Sequence, residues 1–76
     1  MENKRRLSDL EVMESGVVDS LLTEGSMRRR FLDIGLIPGT EVVCVGKSPL
    51  GDPKAFLIRG TRVAIRGRDV KGIILK

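Results

Sequence analysis

The 76-residue chain contains no histidine, tyrosine or tryptophan and a single cysteine, Cys44. The absence of histidine excludes an imidazole-based catalytic dyad or triad, and a cysteine nucleophile would lack its base. A closed zinc or iron site within one chain is excluded as well, because such sites draw on histidine and several cysteines. Cys44 lies inside the apolar run Val42–Val45, which predicts a buried side chain. We therefore expect a protein that is not an enzyme and holds no cofactor.

Carboxylates that could bind a metal ion through oxygen are scattered along the sequence, for example at Asp33, Asp52 and Asp69. A tight oxygen-ligand site needs several such groups close together, so the sequence predicts no metal site within the chain. It leaves open weak transition-metal binding at the surface or between subunits, and it also leaves open weak self-association.

Long hydrophobic runs are missing too, and no stretch approaches the roughly 18 apolar residues that cross a bilayer. The basic cluster Lys4–Arg6 is not followed by the apolar segment of a signal peptide, because Ser8 and Asp9 interrupt it. We expect a cytoplasmic protein with a flexible N-terminus over residues 1–6 and a single domain over residues 7–76.

Positive charge is concentrated in the second part of the chain. Residues 1–27 hold six acidic and three basic side chains, whereas residues 28–76 hold four acidic and eleven basic ones. This balance favours an anionic partner. A small basic β-barrel that binds nucleic acid is the alternative function, but Phe31 and Phe56, the only aromatic residues, are expected in the core and not as platforms for bases. Nucleic acid and small-molecule substrates are thus disfavoured.

Five short apolar runs, separated by turn residues, predict five strands: Val17–Leu22, Val42–Val45, Phe56–Ile58, Val63–Ile65 and Ile73–Leu75. The segment Arg59–Arg62, in which Gly60 can adopt a positive backbone torsion, predicts a tight hairpin connection between the third and fourth strands. An open sheet of this size would leave unpaired edges. The sequence therefore predicts a mainly β fold, a small SH3-like five-stranded barrel with one short helix inserted between the first two strands.

The inserted helix is predicted from the residues that begin and end it. Ser26 would be its N-terminal cap, and Gly35 would adopt the left-handed conformation that ends a helix. Met27, Phe31 and Ile34 recur at helical spacing and predict one buried face. Basic side chains in the first turn oppose the helix dipole, which indicates a role outside the helix for the three consecutive arginines.

From these patterns we expect a partner-binding surface with two parts. Arg28, Arg29 and Arg30 would supply attraction and orientation. An apolar lip would supply contact; its members are Leu36, Ile37 and Pro38 after the helix, facing Pro49 and Leu50 of the long loop.

Three segments and Ile73 resemble, in order and spacing, the ferrous iron transport protein A (FeoA) family: Arg30–Thr40, Pro49–Pro53 and Arg59–Arg66. One departure is Met13, at a position where family members often carry glycine. The resemblance implies an SH3-like barrel that serves as a non-catalytic accessory in bacterial ferrous iron uptake. Its implied partner is the membrane transporter FeoB, which has a cytosolic GTPase part and would recruit it to the inner face of the membrane. Members of this family are also described as transition-metal-associated.

Overall fold

The computed structural model describes residues 4–76. Its strands are β1 (Ser15–Leu21), β2 (Glu41–Lys47), β3 (Lys54–Ile58), β4 (Thr61–Ile65) and β5 (Ile73–Leu75). Helix α1 (Gly25–Ile34) follows β1, the single turn α2 (Gly67–Val70) follows β4, and a 3₁₀ turn spans Leu7–Asp9. The predicted mainly β fold, with five strands and one helix between the first two, is confirmed. No helix in this part of the chain has the length and apolar character needed to cross a membrane.

The strands form one antiparallel sheet in the order β4-β3-β2-β1-β5. Strand β1 changes partner along its length: Ser15 to Val17 pair with β2, and Val18 to Leu21 pair with β5. A register shift between Val18 and Ser20 accompanies this change, and such bulges bend a strand. The sheet therefore curves around the core as in a barrel, but no ladder joins β4 to β5 within residues 4–76.

The interior is aliphatic apart from the two phenylalanines and Cys44, and it contains no polar or charged side chain among the described residues. Burial of Cys44, Phe31 and Phe56 was predicted and is confirmed. Every strand contributes to this core, whose members are Leu7, Leu10, Val18, Phe31, Leu36, Val42, Cys44, Phe56, Ile58, Ile65, Val70, Ile73 and Leu75.

Helix α1 ends where the sequence predicts and begins slightly earlier. Gly35 has φ 108° and its N–H donates to the carbonyl of Leu32, which closes the last turn. The N-terminal cap predicted at Ser26 is wrong, because Glu24 occupies the cap position and Ser26 already lies inside the helix. Gly25, with φ 70°, turns the chain into the helix one residue before Ser26 could.

The outer edge of β5 is covered by the residues that precede the 3₁₀ turn. The N–H of Leu75 donates to the carbonyl of Arg5 at 2.8 Å, and Arg6 forms a β-bridge with Ile74. The flexibility expected for residues 1–6 and the boundary at residue 7 stay predictions, and residues 1–3 lie outside the described part.

Candidate functional site

A solvent-open groove of about 260 Å³ lies between α1 and β4. Apolar side chains of both elements line it, namely Met27, Phe31 and Ile34 on α1 and Val63, Ala64 and Ile65 on β4. Four charged residues complete the lining: Arg30, Arg66, Arg68 and Asp69. The groove thus combines an apolar floor with a rim that carries three positive charges and one negative charge.

The arginines at the rim are only weakly neutralised. Arg66 Nη1 lies 3.6 Å from Asp52 Oδ2, and Arg68 Nε lies 3.9 Å from Asp69 Oδ1. The side chains of Arg66 and Arg68 are 59% and 80% exposed, and ion pairs of this kind contribute little to stability. Arg30 has no ion pair within residues 4–76. The rim therefore keeps most of its positive charge available to a partner.

The helical period brings the α1 residues of the groove together. Met27, Phe31 and Ile34 share one face, as predicted: Phe31 is buried, and the other two pack partly buried against the core. At the end of α1, Gly35 lies against the β3–β4 turn, since a Cβ on Gly35 would lie 2.5 Å from Cδ of Arg59. The end of α1 is therefore close to the start of β4.

The three arginines predicted as one cluster are divided between two faces of α1. Arg30 lines the groove, whereas Arg28 and Arg29 line a broad depression on the other side of the helix. Arg28 Nη1 also donates to the carbonyl of Leu21 at 3.0 Å, so part of its function lies within the fold. The sequence could not separate them, because consecutive residues on a helix point about 100° apart and the position of the neighbouring strand was unknown.

Leu36 was predicted to form part of the apolar lip, and the structure corrects this placement. Its side chain is fully buried in the core. Burial of a leucine stabilises a fold by roughly 1.5–3 kcal/mol, so presenting Leu36 to a partner would cost about that amount. The neighbouring Ile37 is 38% exposed and Pro38 is exposed, so these two residues remain on the surface.

The two halves of the predicted lip do not face each other. Ile37 and Pro38 follow α1 near the β3–β4 turn, where β4 begins. The loop that holds Pro49 and Leu50 lies where β4 ends, because Asp52 accepts a hydrogen bond from the N–H of Gly67 at 2.7 Å. Strand β4 has five residues, each of which advances the chain by about 3.3 Å, so its start and its end lie roughly 17 Å apart. Leu50 is nonetheless 95% exposed.

Sequence reasoning did not identify Arg66 and Arg68 as site residues. Strict alternation over Arg62–Arg66 did predict one buried and one exposed side of β4, which was the available signal. It could not show that α1 lies beside this strand, since β4 and α1 are far apart in sequence. The apolar floor of the groove was not predicted either, because the pattern around Met27, Ile34 and Val63 predicts only that they face the core.

The described residues also bear on two other kinds of site, a metal site and a surface on which nucleic-acid bases stack. No group of three or more histidine, cysteine, aspartate or glutamate side chains within residues 4–76 is placed to hold a metal ion. Phe31 and Phe56 are 2% and 0% exposed, so neither offers a surface on which a base could stack. What the molecule offers is a cationic groove with an apolar floor.

A curved five-stranded antiparallel sheet with one inserted helix and an open groove defines a small SH3-like domain. Within that class, the chain belongs to the FeoA domain family, which matches residues 5–76. The family is associated with ferrous iron transport. The resemblance noted in the sequence is thereby confirmed.

A related protein from Porphyromonas gingivalis is a fusion of Fe(2+) transport protein A with the Fe(2+) transporter FeoB. It is 31% identical over 68 residues, which cover 90% of this chain but 8% of the fusion protein. The chain therefore spans only a small part of that relative.

Solved structures of FeoA proteins share the fold. An FeoA-like protein from Clostridium acetobutylicum is 32% identical with a TM-score of 0.87, covering 100% of this chain and 88% of that one. FeoA of Stenotrophomonas maltophilia, solved with zinc, is 32% identical with a TM-score of 0.83, covering 95% and 89%. That protein is described as a prokaryotic SH3 domain protein, and a role as a bacterial ferrous iron transport activating factor has been suggested for it. A manganese-dependent transcriptional repressor, at 16% identity and a TM-score of 0.82, shares the fold alone.

Proposed function

We propose that this chain is a non-catalytic accessory of a FeoB-like ferrous iron transporter, which it binds and whose Fe²⁺ uptake it modulates. It would act in the cytoplasm and reach the inner face of the membrane through that partner. The observation that carries this proposal is the Porphyromonas gingivalis protein in which the two parts form one polypeptide. Covalent linkage holds two domains at a high effective concentration, which favours a contact between them even when the separate parts bind weakly.

The groove is suited to such a contact. An apolar floor supplies the buried centre that protein interfaces need, and charges around it steer and orient the partner. Arg30, Arg66 and Arg68 provide these charges, and they select a partner surface that is acidic around an apolar centre. Ile37 and Pro38 at one end of β4, and Pro49 and Leu50 at the other, would add apolar contact beyond the groove.

The test measures binding of the full chain to the cytosolic part of the FeoB-like transporter encoded in the same genome, by isothermal titration calorimetry. Arg30→Glu places a negative charge inside the groove and should weaken binding about tenfold, which corresponds to about 1.4 kcal/mol. Arg29→Glu makes the same charge change on the other side of α1 and serves as the matched control, with an expected change below about twofold.

No binding by the unmodified chain would refute the proposed function. Equal losses for the two variants would instead show that only the overall positive charge matters and that the groove is not the contact. Uptake of radioactive iron by cells that carry each variant would then show whether the lost contact changes transport.

A further inference from the structure

Strand β4 is the last strand of the sheet and is paired on one side only, with β3. Ile58 and Thr61 flank a two-residue turn in which Arg59 and Gly60 both have positive φ. In such a hairpin the flanking residues exchange both backbone hydrogen bonds, and every second residue after them does the same. The intervening residues of β4, Arg62 and Ala64, therefore direct N–H and C=O groups away from β3.

These outward groups have no partner within the chain. Neither the N–H nor the C=O of Arg62 or Ala64 makes a hydrogen bond to another backbone or side-chain group within residues 4–76. Both residues are exposed, and Ala64 lines the groove opposite α1. A row of unpaired backbone groups is a template for another strand. Here that template lies along the cationic groove.

We propose that an extended segment of the partner protein pairs with β4 as a sixth strand and lies in the groove beside α1. This inference rests on the proposed function, since the segment would belong to the transporter. Main-chain hydrogen bonds to Arg62 and Ala64 would supply affinity, and side chains alternating along the segment would supply specificity. Apolar side chains would pack against Met27 and Ile34, and acidic ones would pair with the arginines at the rim, Arg30, Arg66 and Arg68.

A second copy of the chain would bring the same positive rim to this edge, whereas an acidic segment would bring the opposite charge. In the register centred on Ala64, two antiparallel copies would also place Arg62 of each copy opposite Arg66 of the other, although the register centred on Val63 would place Arg62 opposite Ala64. Like charges directly opposite each other destabilise a strand pair. A segment with acidic residues at those positions would convert the same repulsion into attraction. The edge therefore selects an acidic strand.

Backbone amide exchange tests the inference directly on the ¹⁵N-labelled full chain, with the cytosolic part of the transporter as probe. In the complex, the N–H groups of Arg62 and Ala64 should exchange at least tenfold more slowly than in the free chain. The N–H of Leu75 already donates to Arg5 within the fold and should change little.

A pair of variants at Ala64 provides an independent measurement. Ala64→Pro removes the outward N–H, and proline is tolerated at an edge position whose N–H faces away from the ladder. We expect it to weaken binding at least tenfold. Ala64→Ser retains the N–H and should bind within about twofold of the unmodified chain. Should Ala64→Pro fail to fold, the exchange measurement on the unmodified chain decides by itself.

The outcomes separate this inference from the proposed function. Binding without slower exchange at Arg62 and Ala64, or equal affinities for the two Ala64 variants, overturns the sixth strand while the accessory function stands. Absence of binding overturns both. Slower exchange that develops in the chain alone as its concentration rises would assign the edge to a second copy and would also overturn the inference.

Discussion

The two outer edges of the sheet differ in how their backbone groups are treated. The edge of β5 is covered from within the chain, since Arg5 and Arg6 pair with its last residues. The edge of β4 is left open beside a groove, with arginines around it. Natural proteins cover or charge their edge strands because a bare edge invites pairing with other chains. This domain uses the first protection at β5 and the second at β4.

The difference shows which edge is suited to meet a partner. A covered edge must first lose its own residues, whereas an open one can accept a strand without rearrangement. Side chains support the cover at β5: Arg6 Nη1 donates to the carbonyl of Lys71 at 2.7 Å, and Lys4 pairs with Asp19. Nothing in residues 4–76 covers β4 in the same way.

Removal of residues 2–6 should have the largest effect, because it takes away the cover of β5. The chain would lose the backbone bond between Leu75 and Arg5 and the bond from Arg6 to Lys71, each contributing about 1 kcal/mol. We expect the free energy of unfolding to fall by about 2 kcal/mol in urea titrations. Sedimentation should also show self-association, since an uncovered edge strand invites pairing with another chain.

The matched control lacks residues 2 and 3 only and keeps Lys4, Arg5 and Arg6, so the difference between the two truncations isolates the cover that residues 4–6 form over β5. An unchanged urea midpoint in the longer truncation would mean that the residues over β5 contribute nothing, and the contrast between the edges would lose its basis.

A smaller effect, of opposite sign, is expected at Met13, between the cover of β5 and the start of β1. Met13 has φ 78°, a conformation that costs a non-glycine residue roughly 1–2 kcal/mol, and its N–H donates to the carbonyl of Cys44. Met13→Gly should therefore raise the free energy of unfolding by about 1 kcal/mol, or the melting temperature by about 4–8 °C. The side chain of Met13 is 78% exposed, so little packing is lost.

Met13→Ala removes the same exposed side chain but keeps the unfavourable backbone conformation, and it should give no such gain in thermal unfolding. Equal stabilisation by alanine and glycine would assign the effect to the exposed methionine and not to the backbone.

The smallest effect concerns pH. The backbone N–H of Glu11, and then the guanidinium of Arg5, bind the Glu14 carboxylate and hold its pKa below the usual range. A carboxyl whose pKa is lowered by folding stabilises the fold above its unfolded pKa, and this contribution is lost as pH falls through the lower, folded value. Unfolding measured in acid should thus show a shallower pH dependence for Glu14→Gln than for the unmodified chain. Identical profiles would show that Glu14 contributes nothing to holding Arg5.

Met13 also illustrates how closely sequence and structure correspond at single positions. It was noted as a departure from the family because glycine is common there, and the left-handed backbone explains that preference. The hairpin within Arg59–Arg62 and the helix end at Gly35 were likewise predicted, because each depends on backbone torsions of one or two residues. The turn itself is shorter than predicted and consists of Arg59 and Gly60. Predictions about mutual placement failed more often, as the buried Leu36 and the separated halves of the lip show.

The sequence by itself determined the strands, the inserted helix, the buried phenylalanines and the family, because these depend on local periodicity, turn chemistry and spacing along the chain. Only the tertiary structure decided which arginine enters the groove, that Arg66 and Arg68 join it, and that β4 is the open edge. Those features arise where segments distant in sequence meet, and contacts of that kind are set by packing of the whole core and not by any local pattern.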